Sequence, residues 1–234
     1  MSAGWRDFWN RPHRIYVDER HRAVHYRRVA DDIAGELPAA PACVLDYGCG
    51  EALEAGRVAA LCDRLYLCDA APAVRAVLAQ RFADNAGIAV LAPEDVAALP
   101  EGSLDLVVVN SVVQYLTPDE CRALLTTLRG RLASSGRLIV ADVIPPGAGL
   151  FADVAALLGA AWRHGFLVAA LAGLALTLVS DYRRLRRSIG LTVWREADFL
   201  ALLDACGFAA ARRPRNFGFN RRRMTFVARP RLPA

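Results

Sequence analysis

Between residues 43 and 142, five short apolar runs alternate with helical segments, and this rhythm constrains the fold more than anything else in the chain. The runs are Cys43–Asp46, Arg64–Asp69, Ile88–Leu91, Leu104–Asn110 and Gly136–Asp142. Helices are predicted over Glu51–Leu61, Pro72–Ala83 and Pro118–Leu132, two of them opening on a Pro preset for a first helical turn. Leu104–Asn110 reads LDLVVVN, nearly all apolar, as a strand covered on both faces should be. Strands joined through helices require right-handed crossovers and a parallel sheet. The expected class is therefore α/β: a doubly wound, mostly parallel sheet with helices on both faces.

The flanks divide the chain further. Residues 1–40 are expected to form an N-terminal helical cap, with a helix over Val17–Leu37 stopped by Pro38. The core takes residues 41–147 and 191–234. Pro145-Pro146-Gly147 breaks the rhythm, and 148–190 read as an inserted pair of apolar helices, Leu150–Arg163 and Phe166–Arg187. The core then resumes with a helix over Glu196–Cys206 capped by Gly207, and with strands Phe208–Arg213 and Met224–Ala228.

The turn after the first strand reads Asp46-Tyr47-Gly48-Cys49-Gly50. In a doubly wound sheet, ligands lie beyond the carboxyl ends of the strands, beside this turn. Gly48 and Gly50 permit close backbone approach there. The string lacks the third Gly of G-x-G-x-x-G, and Glu51 puts negative charge where a pyrophosphate would sit. Both features argue against a dinucleotide. Asp46, an acid just before the glycines, suits a ligand carrying an ammonium group.

At these residues the chain resembles the class I S-adenosylmethionine-dependent methyltransferases of the small-molecule type. V-L-D-x-G-C-G at 44–50 resembles their first motif, with Ala52 where the family usually has another Gly. The resemblance implies S-adenosyl-L-methionine as cofactor and a seven-stranded sheet of order 3-2-1-4-5-7-6 whose last strand is antiparallel. It implies a donor site from Asp46, Gly48, Cys49, Gly50, Asp69, Ala70, Asp95, Val96, Asn110, Ser111 and Tyr115. Asp69, ending the second strand, would accept from the ribose hydroxyls. Asp95, in D-x-x-x-L-P, would receive the adenine amino group, with the Val96 N–H against the ring. N-S-V-V-Q-Y at 110–115 would form the loop beneath the donor.

Methyl transfer is an in-line displacement that asks chiefly for alignment and exclusion of water. A general base is needed only for a poor or protonated nucleophile, so no catalytic residue is fixed by the sequence. The candidates are His25, Asp142, His164 and Tyr115, with Tyr16, His21 and Tyr26 near His25. His21 and His25 share a helix face but have no third ligand, so no metal site is expected.

Composition enters where the acceptor is concerned. The chain is 55% hydrophobic and 23% charged, which excludes a disordered chain. Net charge is +5, and all 29 basic residues are Arg, so part of the Arg excess reads as coding bias. The six Cys form no C-x-x-C pair and read as buried small hydrophobes in a reducing cytoplasm. The first residues lack an apolar signal stretch, so a cytoplasmic location is expected, with the inner membrane face as an option. Phe166–Val179 carries no charge, and Arg183, Arg184, Arg186 and Arg187 follow it. Three readings stay open for this insertion. It is a lid or homodimer contact, a pocket wall or membrane-surface helix at 166–187 for a lipid-like acceptor, or a membrane span, for which it is short. Six Arg (212, 213, 215, 221, 222 and 223) bracket Phe217-Gly218-Phe219. No nucleic-acid module accompanies them, and a solvated rim or a seat for an anionic acceptor group is the simpler expectation. The expected function is methyl transfer to a small, hydrophobic or lipid-like acceptor. An RNA or protein methyltransferase and a non-catalytic donor-binding or membrane-associated module are the alternatives.

Overall fold

The computed structural model describes residues 5, 9–10, 16–39, 42–148, 150–177 and 191–231, with backbone alone at 150–153 and 173–177. Its sheet runs β3-β2-β1-β4-β5-β7-β6. The strands are β1 (Cys43–Tyr47), β2 (Arg64–Cys68), β3 (Ile88–Leu91), β4 (Leu104–Asn110), β5 (Leu132–Val143), β6 (Phe208–Arg212) and β7 (Met224–Pro230). The first five pair in parallel, and β7 is antiparallel to both β5 and β6. This is the order and orientation that the family resemblance implies.

The helices are α1 (Glu19–Ala34), α2 (Ala55–Ala59), α3 (Pro72–Arg81), α4 (Pro93–Ala98), α5 (Pro118–Arg131), α6 (Leu150–His164), α7 (Leu167–Thr177) and α8 (Glu196–Ala205). They cover both faces of the sheet. Val107 and Val109 of β4 face one apolar cluster, shared with Val96 of α4, Leu125 of α5 and Phe199 of α8. Leu106 and Val108 face the other, shared with Ile33 of α1, Val58 of α2 and Leu78 of α3. Strand periodicity thus sends alternate residues of one apolar run into two cores.

Local chemistry sets the boundaries. α1 begins at Glu19 and not Val17, because the Asp18 carboxylate accepts from the His21 N–H at 2.7 Å and caps the helix. Thr117 and Glu120 do the same for α5 by a reciprocal pair of bonds. The helix expected over Glu51–Leu61 shrinks to Ala55–Ala59, since Ala52 adopts φ +41, which no helix can contain. β5 starts at Leu132, ahead of the expected Gly136. An irregularity between Leu104 and Leu106 lets the chain pair early with β4. The short helix α4 and the 3-10 turn Val113–Tyr115 have no counterpart in the sequence reading. Of the second inserted helix, Leu167–Thr177 is described; the part expected up to Arg187, with Arg183, Arg184, Arg186 and Arg187, lies outside the described residues.

α6 and α7 form a helical hairpin with a satellite core of Ala160, Ala161, Phe166 and Ala170. Its turn rests on α1: the Phe166 ring stacks on His21 with centroids 5.1 Å apart. His164 meets Phe219, at the tip between β6 and β7, edge to face at 5.5 Å. The insertion therefore leans over the N-terminal helix and the β6–β7 tip, on the side of the carboxyl ends of the strands.

Candidate donor site and its neighbourhood

The turn after β1 is pinned from three sides. The Gly48 and Cys49 N–H groups both donate to the Cys68 carbonyl, at 2.7 and 3.1 Å. The Gly50 N–H donates to one oxygen of Asp69 at 3.0 Å, and the Ala71 N–H to the other at 2.8 Å. The Glu51 N–H donates to the Tyr26 hydroxyl of α1 at 2.9 Å. Gly48 sits at φ +78, and a β-carbon there would lie 2.2 Å from Val112 Cγ2. A β-carbon on Gly50 would lie 2.9 Å from the Tyr26 hydroxyl. The two glycines therefore let the first motif pack against the Asn110–Tyr115 loop on one side and α1 on the other.

Asp46 stands apart from this network. It is 7% exposed, and no hydrogen bond or ion pair engages its carboxylate among the described residues. Burial, reinforced by the negative Asp69 nearby, raises its pKa to about 7. A buried carboxyl without a partner is costly in its charged form, and a cation placed against it would remove that cost. It also lines a small cavity beneath α1 together with Tyr26, Cys49 and Ala52.

The other expected donor residues fall around the same turn. Asp69 accepts from the Gly50 N–H with one oxygen and from the Ala71 N–H with the other. The Ala70 carbonyl, with that of Asp69, accepts from Arg75. Asp95 is exposed and gives one oxygen to the Ala92 N–H at 2.8 Å, capping α4. The Val96 N–H points into its own helix, 3.3 Å from the Ala92 carbonyl, while its side chain is buried. Cys49 and Cys68 are buried, which raises both thiols above their usual range and keeps them protonated.

Among the described residues, three non-glycine positions take a positive φ, and two of them lie at the carboxyl ends of β4 and β5. Ser111 has φ +58 and Asp142 φ +62, on adjacent strands where Asn110 pairs with Ala141. Side-chain bonds hold them there. The Ser111 hydroxyl donates to Asp142 at 2.8 Å, and the Asp142 N–H donates to the Asn216 side-chain oxygen at 3.1 Å. Buried Arg223 stands 3.8 Å from the same carboxylate. Thr225 completes the knot with a 2.7 Å bond to Asn216. Strain of this kind, held in place by its surroundings, marks sites where geometry matters.

Two aromatic groups flank the donor turn. Tyr115 stacks on Trp5 at 6.3 Å and meets Trp9 edge-on at 5.8 Å. Tyr16 meets His21, His25 and Tyr26 at 5.3–5.8 Å. Burial lowers the His25 pKa to about 4, so the ring is neutral at pH 7. The structure thus brings His25 and Tyr115 to the two flanks of the donor turn, Asp142 to the strand ends, and His164 to the contact with Phe219, farther along the insertion. Trp5, Trp9, Asn216 and Thr225 escaped the sequence reading. The aromatic density of the first residues pointed to the two Trp, whereas nothing short-range marked Asn216 and Thr225.

The Arg run around the β6–β7 tip divides. Arg212 pairs with Glu196 at 2.6 Å, Arg213 pairs with buried Glu36, and Arg223 is buried beside Asp142. Arg215, Arg221 and Arg222 remain exposed.

The seven-stranded sheet of this order, with a Gly turn after β1, Asp46 within β1 and Asp69 just after β2, is the arrangement that the sequence's resemblance to class I methyltransferases implies. Residues 45–140 match the family described as a methyltransferase domain. The chain is 32% identical over 124 residues to an uncharacterised methyltransferase of Mycobacterium bovis, a match covering 53% of this chain and 60% of that one. Two uncharacterised methyltransferases from strains of Mycobacterium tuberculosis match equally. The matched stretch thus spans under two thirds of these curated relatives' length.

Solved structures share the fold over nearly the whole chain. Magnesium protoporphyrin IX methyltransferase of Synechocystis, with bound S-adenosylhomocysteine, has a TM-score of 0.57 at 20% identity, covering 97% of this chain and 93% of that one. A TehB-like methyltransferase of Corynebacterium glutamicum scores 0.55 at 16% identity, covering 98% and 96%. A putative methyltransferase of Haloferax volcanii, solved with its Trm112 activator, scores 0.60 at 14% identity, covering 99% and 96%.

Proposed function

We propose that this protein transfers a methyl group from S-adenosyl-L-methionine to a small, hydrophobic or lipid-like acceptor. The buried, partnerless Asp46 carries the proposal. Its carboxylate suits the donor's ammonium, and the Gly48–Gly50 turn beside it is held against Val112 and Tyr26. Asp69 would accept the ribose hydroxyls and Asp95 the adenine amino group, while the Val96 N–H is already engaged with the Ala92 carbonyl. The donor supplies an electrophilic methyl on a positively charged sulfur, already a good leaving group. What remains for the chain is alignment and dryness. Tyr115, braced by Trp5 and Trp9, and the Tyr16–His25–Tyr26 group would exclude water from the two flanks. The Ser111–Asp142–Asn216 knot would fix the backbone between them.

A hydrophobic acceptor is supported by the lean of the apolar α6–α7 hairpin over α1 and the β6–β7 tip. His25, held neutral and weakly basic by burial, could orient an acceptor through a hydrogen bond, and so could Asp142. The test is calorimetry with S-adenosylmethionine and S-adenosylhomocysteine, followed by transfer of labelled methyl into lipid-soluble and water-soluble extracts. Binding with label in the organic phase supports the reading. No binding of either nucleoside removes it, and label found only in RNA or protein replaces the acceptor class.

A further inference from the structure

We propose that the α6–α7 hairpin docks the protein on the surface of an anionic phospholipid membrane. This goes beyond the methyl-transfer reading and does not depend on it.

The hairpin is apolar on two sides. Its inner side packs Ala160, Ala161, Phe166 and Ala170 together. Its outer side leaves Trp162 77% exposed, Val168 83% and Leu171 53%. Val168 and Leu171 are three apart and share a face of α7, while Trp162 lies just across the turn. No charged residue occurs from Phe166 to Thr177. A helix that is apolar all round calls for a non-aqueous partner on its second side. No helix among the described residues is long and apolar enough to cross a membrane, so the partner surface is met from one side.

Charge selects the partner. Arg163 adjoins Trp162, and the Arg20 guanidinium lies 3.3 Å from where a β-carbon of Gly165 would stand. Phe219 packs into the hairpin's core and against His164, which brings exposed Arg221 and Arg222 alongside. None of these four Arg has an ion-pair partner among the described residues. Several Arg elsewhere are paired, as Arg28 is with Asp32, Arg57 with Asp31 and Arg212 with Glu196. The neighbouring acids on α1 are engaged: Asp18 caps the helix and Glu19 pairs with Arg22. An apolar patch with an interfacial Trp and a rim of unpaired Arg matches acyl chains below and anionic headgroups around. A second copy of this chain fits less well, because a two-fold contact would set the same Arg rim against itself.

The test is co-sedimentation of the full chain with phosphatidylglycerol vesicles and with phosphatidylcholine vesicles. Binding to the anionic vesicles is expected, at least tenfold tighter than to the neutral ones and weakened by salt. Arg221→Ser with Arg222→Ser should weaken it about twenty-five-fold, roughly fivefold per charge. Val168→Ser with Leu171→Gln should weaken binding to both vesicle types. Melting temperature and S-adenosylhomocysteine titration of each variant confirm that it is folded and separate a failed docking proposal from a failed donor site. The proposal is overturned by any of three results: no binding to anionic vesicles, variants that bind like the parent, or a light-scattering dimer abolished by Val168→Ser.

Discussion

The two halves of this molecule are built by different means. The donor half is held by backbone: Gly48, Cys49 and Gly50 N–H groups reach fixed acceptors on and just beyond β2, and the residues that matter lie in a short, ordered string. The half around the insertion is held by side chains from distant segments, with α1, the α6–α7 hairpin and the β6–β7 tip meeting through Phe166, His21, His164 and Phe219. A ligand common to a whole family can be gripped by backbone and a few acids. A ligand particular to one chain must be read by a surface assembled from long-range contacts, and such surfaces leave little trace in local sequence.

Perturbing the donor half should have the larger effects, in either direction. Asp46 comes first. Its carboxyl titrates near 7 in the fold against 3.8 in the open chain, so the native state holds a proton that the unfolded chain has lost. Stability without ligand should therefore fall as pH rises from about 4 to about 7, by about 1.4 kcal/mol per unit at the steepest, and stay flat above. Asp46→Asn should abolish this slope in denaturant titrations across pH and be the more stable protein at pH 8. A slope unchanged in the variant would assign it elsewhere.

Gly48→Ala comes next. The new methyl collides with Val112 and fixes a left-handed φ, so a loss of about 3 kcal/mol is expected by denaturation. Adding Val112→Ala should recover the steric part and leave about 1 kcal/mol. No recovery would mean that the two motifs are not in contact.

On the other side, Asp142→Ala removes the anchor of Ser111 and the counter-charge of Arg223, and about 2 kcal/mol should be lost. A loss of that size would show that the acceptor-side knot also serves folding; one below about 0.5 kcal/mol would leave it to function alone. The smallest effect is a gain. Ala52 holds φ +41, which Gly adopts freely, so Ala52→Gly should stabilise by about 1 kcal/mol in the same assay.

The same division explains what could be read from the sequence. β4 announced itself because LDLVVVN is apolar at every position but Asp105 and Asn110, and the 43–50 string joins a strand, an acid and two glycines in one window. The strand order followed from family resemblance. α2 was overextended because the left-handed Ala52 leaves no mark on a helical pattern. The strained pair at Ser111 and Asp142 leaves no local mark, since its support Asn216 comes from 74 residues beyond Asp142 and Thr225 from farther still. The six-Arg run looked uniform in sequence and divides in space, because partners such as Glu36 and Asp142 arrive from other segments.

The central claim is that Asp46 waits for the ammonium of an S-adenosyl donor. Its most direct measurement is calorimetric titration with S-adenosylhomocysteine at pH 6, in buffers of different ionisation heat. The account predicts release of close to one proton on binding, affinity that rises with pH until about 7, and a loss of at least thirtyfold in Asp46→Asn as a buried charge pair is broken. Binding of equal strength in Asp46→Asn, with no proton released by the parent protein, would contradict it.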